Sequence, residues 1–441
     1  MIATPPTRTL RRTDAAALRL STDLCVVGAG IAGVSAALEA ARLGQRVLLV
    51  EAGPTLGGQS VGSMIGTFCG LYANGPDPAQ VTHGIADEIL AHLRANGAAH
   101  EIRGRRNTVI VSYRIAALAR WVEEAVRLAG IDVLLGAIVH RVEREGRRVG
   151  ALDLATRYGE VRVEATGFVD ASGDAVLSWI GGLAVHEADA PVYGTVVFIL
   201  EGVEEAALAD LDRDELKRRI AEGAAAHGLV RHDGFAFAFP GAGEVLVNMT
   251  HIETPLDPLG AARMVLDGRA QVDRLVGFLR TAFPAVFGAA SVRAYGLPGI
   301  RQTRSIEGAY RLTADDVRAS RCFPDAIARC SWPIEFHDRP EGAHWEVFGD
   351  DHMHTVPLRN MVPREVDNIV TVGRCIDADP IALSSARVMG PCIAMGAAAA
   401  HAIDLAGSGS VHQIDVARLQ ERLRANLEND ALGRAQQWSR P

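Results

Sequence analysis

Two short apolar runs, residues 24–27 (LCVV) and 47–50 (VLLV), flank a stretch of small and aliphatic residues at 31–43, with a glycine turn after the first run. A run without polar alternation suits a strand covered on both faces, and the stretch between suits a helix. The segment therefore predicts a strand, a turn, a helix and a second, parallel strand. Glycine-rich turns follow to about residue 75, and helical periodicity returns around 83–95 and 114–129. Short strand-like runs at 133–135, 139–143, 149–154 and 161–165 predict a meander of three or four strands, and 168–171 reads as one more buried strand.

From about 176 to 330 the pattern mixes helix and strand. Runs at 235–239 and 244–248 alternate and are joined by Pro240-Gly-Ala-Gly243, a hairpin signal, and a long helical pattern covers 259–282. Residues 369–373 then read as a buried strand and 392–405 as a helix of small residues, so the chain is expected to return to its first sheet. Residues 414–427 read as a closing amphipathic helix. The pattern divides the chain into an N-terminal extension (1–20), a first nucleotide-binding segment (21–175), an inserted α+β substrate or cap domain (176–330), a second nucleotide-binding segment (331–410) and a C-terminal helix (411–441). A length of 441 residues is consistent with two or three domains of roughly 100–200 residues.

Hydrophobic residues make up 48% of the chain and the net charge is −8, so no basic field marks a nucleic acid or an anionic membrane as partner. A small-molecule substrate is expected instead. The six cysteines form no CxxC pair, which suits a reducing, cytoplasmic setting. Arg8, Arg11 and Arg12 precede TDAAALRLSTD rather than an apolar run, so no signal peptide is expected. The apolar stretch 393–407 is short and carries His401 and Asp404, which predicts a buried helix rather than a membrane span.

Gly28-x-Gly30-x-x-Gly33 lies between the first strand and its helix, where a dinucleotide site needs it. Gly28 permits the tight turn, Gly30 lets a pyrophosphate reach the backbone, and Gly33 allows close helix–strand packing. The helix opening at Ile31 and Ala32 adds partial positive charge. Glu51, at the end of the second strand, suits ribose hydroxyls and would repel a 2′-phosphate.

Gly57-Gly58, GFVDASGDA (167–175), LPGIRQTRSIEGAYRLTADDV (297–317) and VDNIVTVGRCIDADPIALSSARVMGPCIAMGAAAAHA (366–402) widen this picture. With the Gly28 turn, they resemble the FAD-dependent oxidoreductase family allied to glutathione-reductase-like flavoproteins. The resemblance implies FAD as cofactor, held in an α/β fold: a discontinuous Rossmann-like FAD-binding domain with a central parallel sheet and a β-meander. It implies that Gly28, Gly30, Gly33, Glu51, Gly57 and Gly58 line the ADP half. Gly373 and Arg374 stand where relatives often carry Gly-Asp, whose carboxylate holds the ribityl chain; Asp377 or Asp379 is either its substitute or an ordinary loop carboxylate. Gly390-Pro391 reads as a helix start with proline at the first helical position. If that end points at the flavin, its dipole stabilises negative charge there; a packed core helix is the alternative.

His337, His344, His352 and His354 fall close together beside Trp332 and Trp345. Histidine is the usual base for a hydroxyl proton. His354, just before Val356-Pro357, is the preferred base, with His352 beside it. The same two could share a strand face as metal ligands, but no glutamate or cysteine completes a set, and no metal is expected. Arg301 suits a developing oxyanion, and Arg304 and Arg387 suit a substrate carboxylate; surface salt bridges are the alternative for each. Asn248 and His251 are further substrate candidates. Cys69 lacks the second cysteine of a dithiol reductase, leaving a buried thiol or a covalent flavin link. No second GxGxxG marks an NAD(P)H domain, so electrons are expected to leave to oxygen, a quinone or a carrier protein. The expected function is a dehydrogenase or oxidase moving hydride from a CH–OH or CH–NH carbon to flavin N5. A C=C reductase and a flavin-binding assembly or regulatory protein are the alternatives. Neither the substrate nor the oligomeric state can be read from the chain.

Overall fold

The computed structural model describes Thr7 and residues 17–104, 108–239 and 242–428. Arg8, Arg11 and Arg12, with Pro240 and Gly241 of the expected hairpin turn, lie outside these.

Leu18–Val27 (β1), Ile31–Arg42 (α1) and Val47–Glu51 (β2) form the expected unit, with β1 and β2 parallel and in register from Leu24 opposite Val47 to Val27 opposite Val50. Their uninterrupted apolar runs follow from burial on both faces. Leu24, Val26, Val47 and Leu49 point into one hydrophobic core, while Cys25, Val27, Leu48 and Val50 point into another. Burying each such aliphatic side chain contributes about 1.5–3 kcal/mol, so neither face tolerates a polar residue cheaply.

The next strands correct the expected meander. Asp132–Leu135 (β3) pairs in parallel with β2 and so belongs to the central sheet. Ile138–Glu145 (β4) and Arg148–Thr156 (β5) form the meander proper. The two runs at 161–165 and 168–171 are one twelve-residue strand, Gly159–Asp170 (β6). It pairs antiparallel with β5 through its first half, in parallel with β1 along its length, and in parallel with the short strand Ile369–Thr371 through its second half. The chain thus returns to its first sheet as expected.

Between these visits lies a second hydrophobic core. Phe198–Glu201 (β7), Phe235–Ala238 (β8), Val245–Asn248 (β9) and Ser291–Tyr295 (β10) make an antiparallel sheet in the order β8-β9-β7-β10. Arg213–His227 (α2) and Pro258–Ala282 (α3) share its core, where Leu216, Ile220, Val272 and Phe278 meet Phe198 and Val247. Both helices start at an aspartate cap: Asp212 accepts from the Asp214 N–H, and Asp257 from the Gly260 N–H just after Pro258.

Five further elements matter below: the hairpin Ile334–Arg339 (β11) and Gly342–Glu346 (β12), the strand His354–Pro357 (β13), and the helices Pro380–Ala386 (α4) and Met389–Ala406 (α5). Helix α5 is long and apolar enough to cross a membrane, but most of it is buried against the rest of the fold, α1 included. It begins at Met389, two residues before Pro391, so that proline is its third residue rather than its first. The ring still breaks no helical hydrogen bond, because the first four N–H groups of any helix lack one. Residues 414–427 form two short helices, Val416–Arg422 and Arg424–Leu427, instead of one.

Candidate functional site

A cavity of about 1650 Å³ runs from the C-terminal end of the parallel sheet to the second core. That exceeds the roughly 300–1,000 Å³ of a single small-ligand pocket and leaves room for a dinucleotide together with a substrate.

The sheet end is shaped by glycine. Gly28 has φ 102°, and a Cβ there would collide with the Ala171 carbonyl, so the turn can form only where this loop passes. Gly33 has no room either, lying against Ala171 and the Gly28 backbone. Gly30 differs: nothing lies within 4 Å of where its Cβ would point, and it lines the cavity with Ile31 and Ala32. Gly57 donates its N–H to the Ala29 carbonyl at 2.8 Å, and Gly58 (φ 51°) passes against Gly30. Glu51 accepts the N–H groups of Ala29 and Gly53, both at 2.7 Å, and faces the cavity. The open space at Gly30, the N-terminus of α1 and the carboxylate at the strand end fit a dinucleotide's pyrophosphate and ribose. Because that space is empty of protein, Gly30→Val is expected to leave the unfolding midpoint of the FAD-free protein nearly unchanged, while FAD affinity, measured by titration, falls about 100-fold or more. A large loss of stability with intact FAD binding would contradict it.

Gly373 stands between the first turns of α1 and α5, 3.7 Å from Ala32 and 4.0 Å from Cys392, measured from a built Cβ. Arg374 turns toward Asp174, at 2.7 Å, and Thr303, at 2.9 Å. Neither aspartate considered as a ribityl partner lines the cavity. Asp377 accepts the Gly308 N–H and lies beside His186 and Arg311, while Asp379 caps α4 and accepts from Ala314. The Gly390 N–H donates to the Cys69 carbonyl, and a side chain at Gly390 would strike Gly70. The first turn of α5 thus meets the cavity at Val388, Met389 and Cys392, with Pro391 packed on Gly70. Burial pushes the Cys69 thiol well up, so no thiolate faces the cavity there.

The preferred histidines lie elsewhere. His354 is wholly buried on β13, paired with the strand Ala326–Cys330, and neither it nor His352 lines the cavity. Their rings share a 3.2 Å hydrogen bond, His352 stacks on Phe348, and burial lowers their pKa values to about 3 and about 4. Among the described residues no cluster able to hold a metal ion is present. Arg304 is also displaced: it pairs with Glu187 at 3.0 Å and lies over Trp179.

Arg301, Arg387 and Asn248 do meet in the cavity, beside Trp332, Trp345 and Glu335. Glu335 was not singled out in the sequence, yet it heads a chain of hydrogen bonds. Its Oε1 lies 3.0 Å from His337 Nε2, His337 Nδ1 lies 2.9 Å from His251 Nε2, and His251 Nδ1 lies 2.8 Å from the Pro340 carbonyl. The signal that would have found it is the alternation on β11, which puts Glu335 and His337 on one strand face. The Pro340 carbonyl can only accept, so His251 donates to it. Satisfying the other two bonds then requires one extra proton, on Glu335, on His337 or on His251. Burial raises the proton affinity of Glu335 against the pull of Arg301, Arg387 and Arg231. Burial and the charges of Arg231 and Arg301 push His251 down to about 2. Of the three placements, burial favours the one on Glu335, which leaves all three groups of the chain uncharged.

The sequence pattern of the FAD dependent oxidoreductase family matches residues 23–423. No curated protein matches the chain by sequence. Among solved structures, a geranylgeranyl bacteriochlorophyll reductase-like protein from Thermoplasma acidophilum is 14% identical, with a TM-score of 0.50 over 92% of this chain and 84% of that one. A flavin-dependent brominase is 14% identical over 92% of this chain and 83% of its own, with a TM-score of 0.47. The p-nitrophenol 4-monooxygenase of Pseudomonas putida is 10% identical over 93% and 82%, with a TM-score of 0.42.

Proposed function

The chain belongs to the FAD-dependent oxidoreductase family, and from that premise we propose that it oxidises a CH–OH or CH–NH carbon of a small polar molecule, with Glu335 as the group that takes the proton. When bound, FAD supplies the acceptor for the hydride at its N5. The observation that carries the reading is the Glu335–His337–His251 chain opening onto the cavity between two arginines. Glu335 Oε2 can take a substrate proton, with every hydrogen bond of the chain intact, once its resident proton passes through His337 to His251; burial, Arg231 and Arg301 oppose charge on His251, and the Pro340 carbonyl and Asp233 offset part of that cost. Trp332 and Trp345 line the same space with apolar ring surface.

The raised proton affinity of Glu335 favours a second reading, in which the loaded carboxyl donates its proton to a C=C bond during reduction. The two differ in sign. Oxidation needs room for a proton on the chain, so substrate reduction of the flavin should accelerate as pH rises through the Glu335 titration. Reduction needs the proton present, so reoxidation by an unsaturated acid should slow over the same range. Anaerobic mixing of the FAD-loaded protein with alcohols, hydroxy acids, amines and amino acids, followed by loss of the flavin's visible absorption, tests the first reading. Bleaching by none of them, with reoxidation of the dithionite-reduced protein by an unsaturated acid, replaces it with the second. Electrons are proposed to leave to oxygen, a quinone or a carrier protein.

A further inference from the structure

Arg387 presents a guanidinium that the protein does not answer. It follows α4 and lines the cavity, its Nε is buried without a hydrogen-bond partner, and among the described residues its side chain makes no ion pair. Arg301 lines the same space, almost fully buried, and among the described residues its side chain donates to the Tyr193 carbonyl, at 2.6 Å. Arg231, behind them, is taken up by Asp233 at 2.7 Å and by Asn248 at 2.9 Å. Three guanidinium groups thus face two carboxyl groups, and one of these, Glu335, holds a proton within its own chain. Burial is the largest cause lowering the pKa of both Arg301 and Arg387; Arg231 and Arg387 add repulsion at Arg301 and Arg374 adds it at Arg387, and the pull of Glu335 on each does not offset this. A planar fork of N–H donors is the natural receiver of a carboxylate.

We propose that Arg387 and Arg301 bind a carboxylate of the substrate, which is therefore a small 2-hydroxy or 2-amino acid. The proposal rests on the oxidation reading above and narrows it. With the carboxylate on the two arginines, the adjacent carbon bears the hydroxyl or amine that faces Glu335. Its C–H leaves as hydride with two electrons to the flavin, its O–H or N–H proton goes to Glu335 as the proton already there passes through His337 to His251, and a 2-oxo or 2-imino acid remains. The cofactor's own phosphates are the competing anion, but their place is at the open Gly30.

The test uses FAD-loaded protein and matched pairs: acetate, glycolate and lactate against acetamide, glycolamide and lactamide. Binding is read by calorimetry and by the shift of the flavin spectrum, and bleaching is read separately. The acids are expected to bind at least about tenfold more tightly than their amides, and Arg387→Lys, which keeps the charge but loses the fork, to narrow that ratio with FAD affinity unchanged. Equal binding of acids and amides overturns the proposal, as does loss of FAD rather than of acid binding in Arg387→Lys. Acids that bind selectively without bleaching the flavin support the carboxylate site while the oxidation reading fails. Bleaching by glycolamide as readily as by glycolate does the reverse.

Discussion

Glu335→Gln is expected to lower the rate of flavin reduction by substrate about 10²–10⁴-fold, the usual contribution of a positioned acid or base. The substitution is nearly isosteric, and the amide N–H can still donate to His337 Nε2, so the chain of hydrogen bonds persists. What disappears is the ability to gain or lose a proton beside the cavity. Stopped-flow measurement under anaerobic conditions reads the loss, and the pH dependence of the remaining rate should flatten. A variant with the parent's rate and pH profile would remove Glu335 from the chemistry. His337→Gln should fall between the two, since it cuts the chain one step further back. FAD content is expected to stay at the parent's level in both, because neither side chain belongs to the glycine cradle.

Acid should destabilise the protein well before its carboxylates titrate. His352 and His354 are buried in an apolar setting, and burial, with mutual repulsion for His354, lowers their pKa values to about 4 and about 3. The unfolded chain protonates both below about pH 6.5, whereas the folded chain does not until far lower. Stability is therefore complete above about pH 6.5 and falls as the pH drops, down to the folded pKa values. At pH 5 each histidine costs about 2 kcal/mol, so the pair removes about 4 kcal/mol from a typical stability of roughly 5–15 kcal/mol. Urea midpoints between pH 7 and pH 5 measure the slope. His354→Phe, which fills the same buried space without a titrating ring, should reduce the loss at pH 5 by that ring's own share, about 2 kcal/mol. A midpoint independent of pH would show that these rings find water or a proton partner in the folded state.

The Gly28 turn and Glu51 were legible because their geometry is local: strand, turn and helix follow one another within thirty residues, and each glycine has its own steric reason. The extent of β6 was not, because two apparent runs separated by Thr166 and Gly167 form one strand only when β1 and β5 are already beside it. The catalytic candidates divide the same way. His354 looked suitable from its sequence neighbours, but a strand buried on both faces removes it from any ligand. Glu335 gains its meaning from His251, more than eighty residues away on a different part of the fold. Arg304 and Arg387 are alike in sequence terms. One meets Glu187 and Trp179, and the other has a buried Nε that meets no acceptor among the described residues, a difference set by tertiary neighbours alone.

Because β6 is the one strand common to the meander and the nucleotide sheet, these two layers share a backbone and should not melt one at a time. Slow amide-exchange protection should therefore be lost together from Leu152, in the outer hairpin, and from Val26, beside the phosphate turn, as a single cooperative unit. Ligand binding at one edge of the protein would then harden the opposite edge, which touches no ligand, to the same degree.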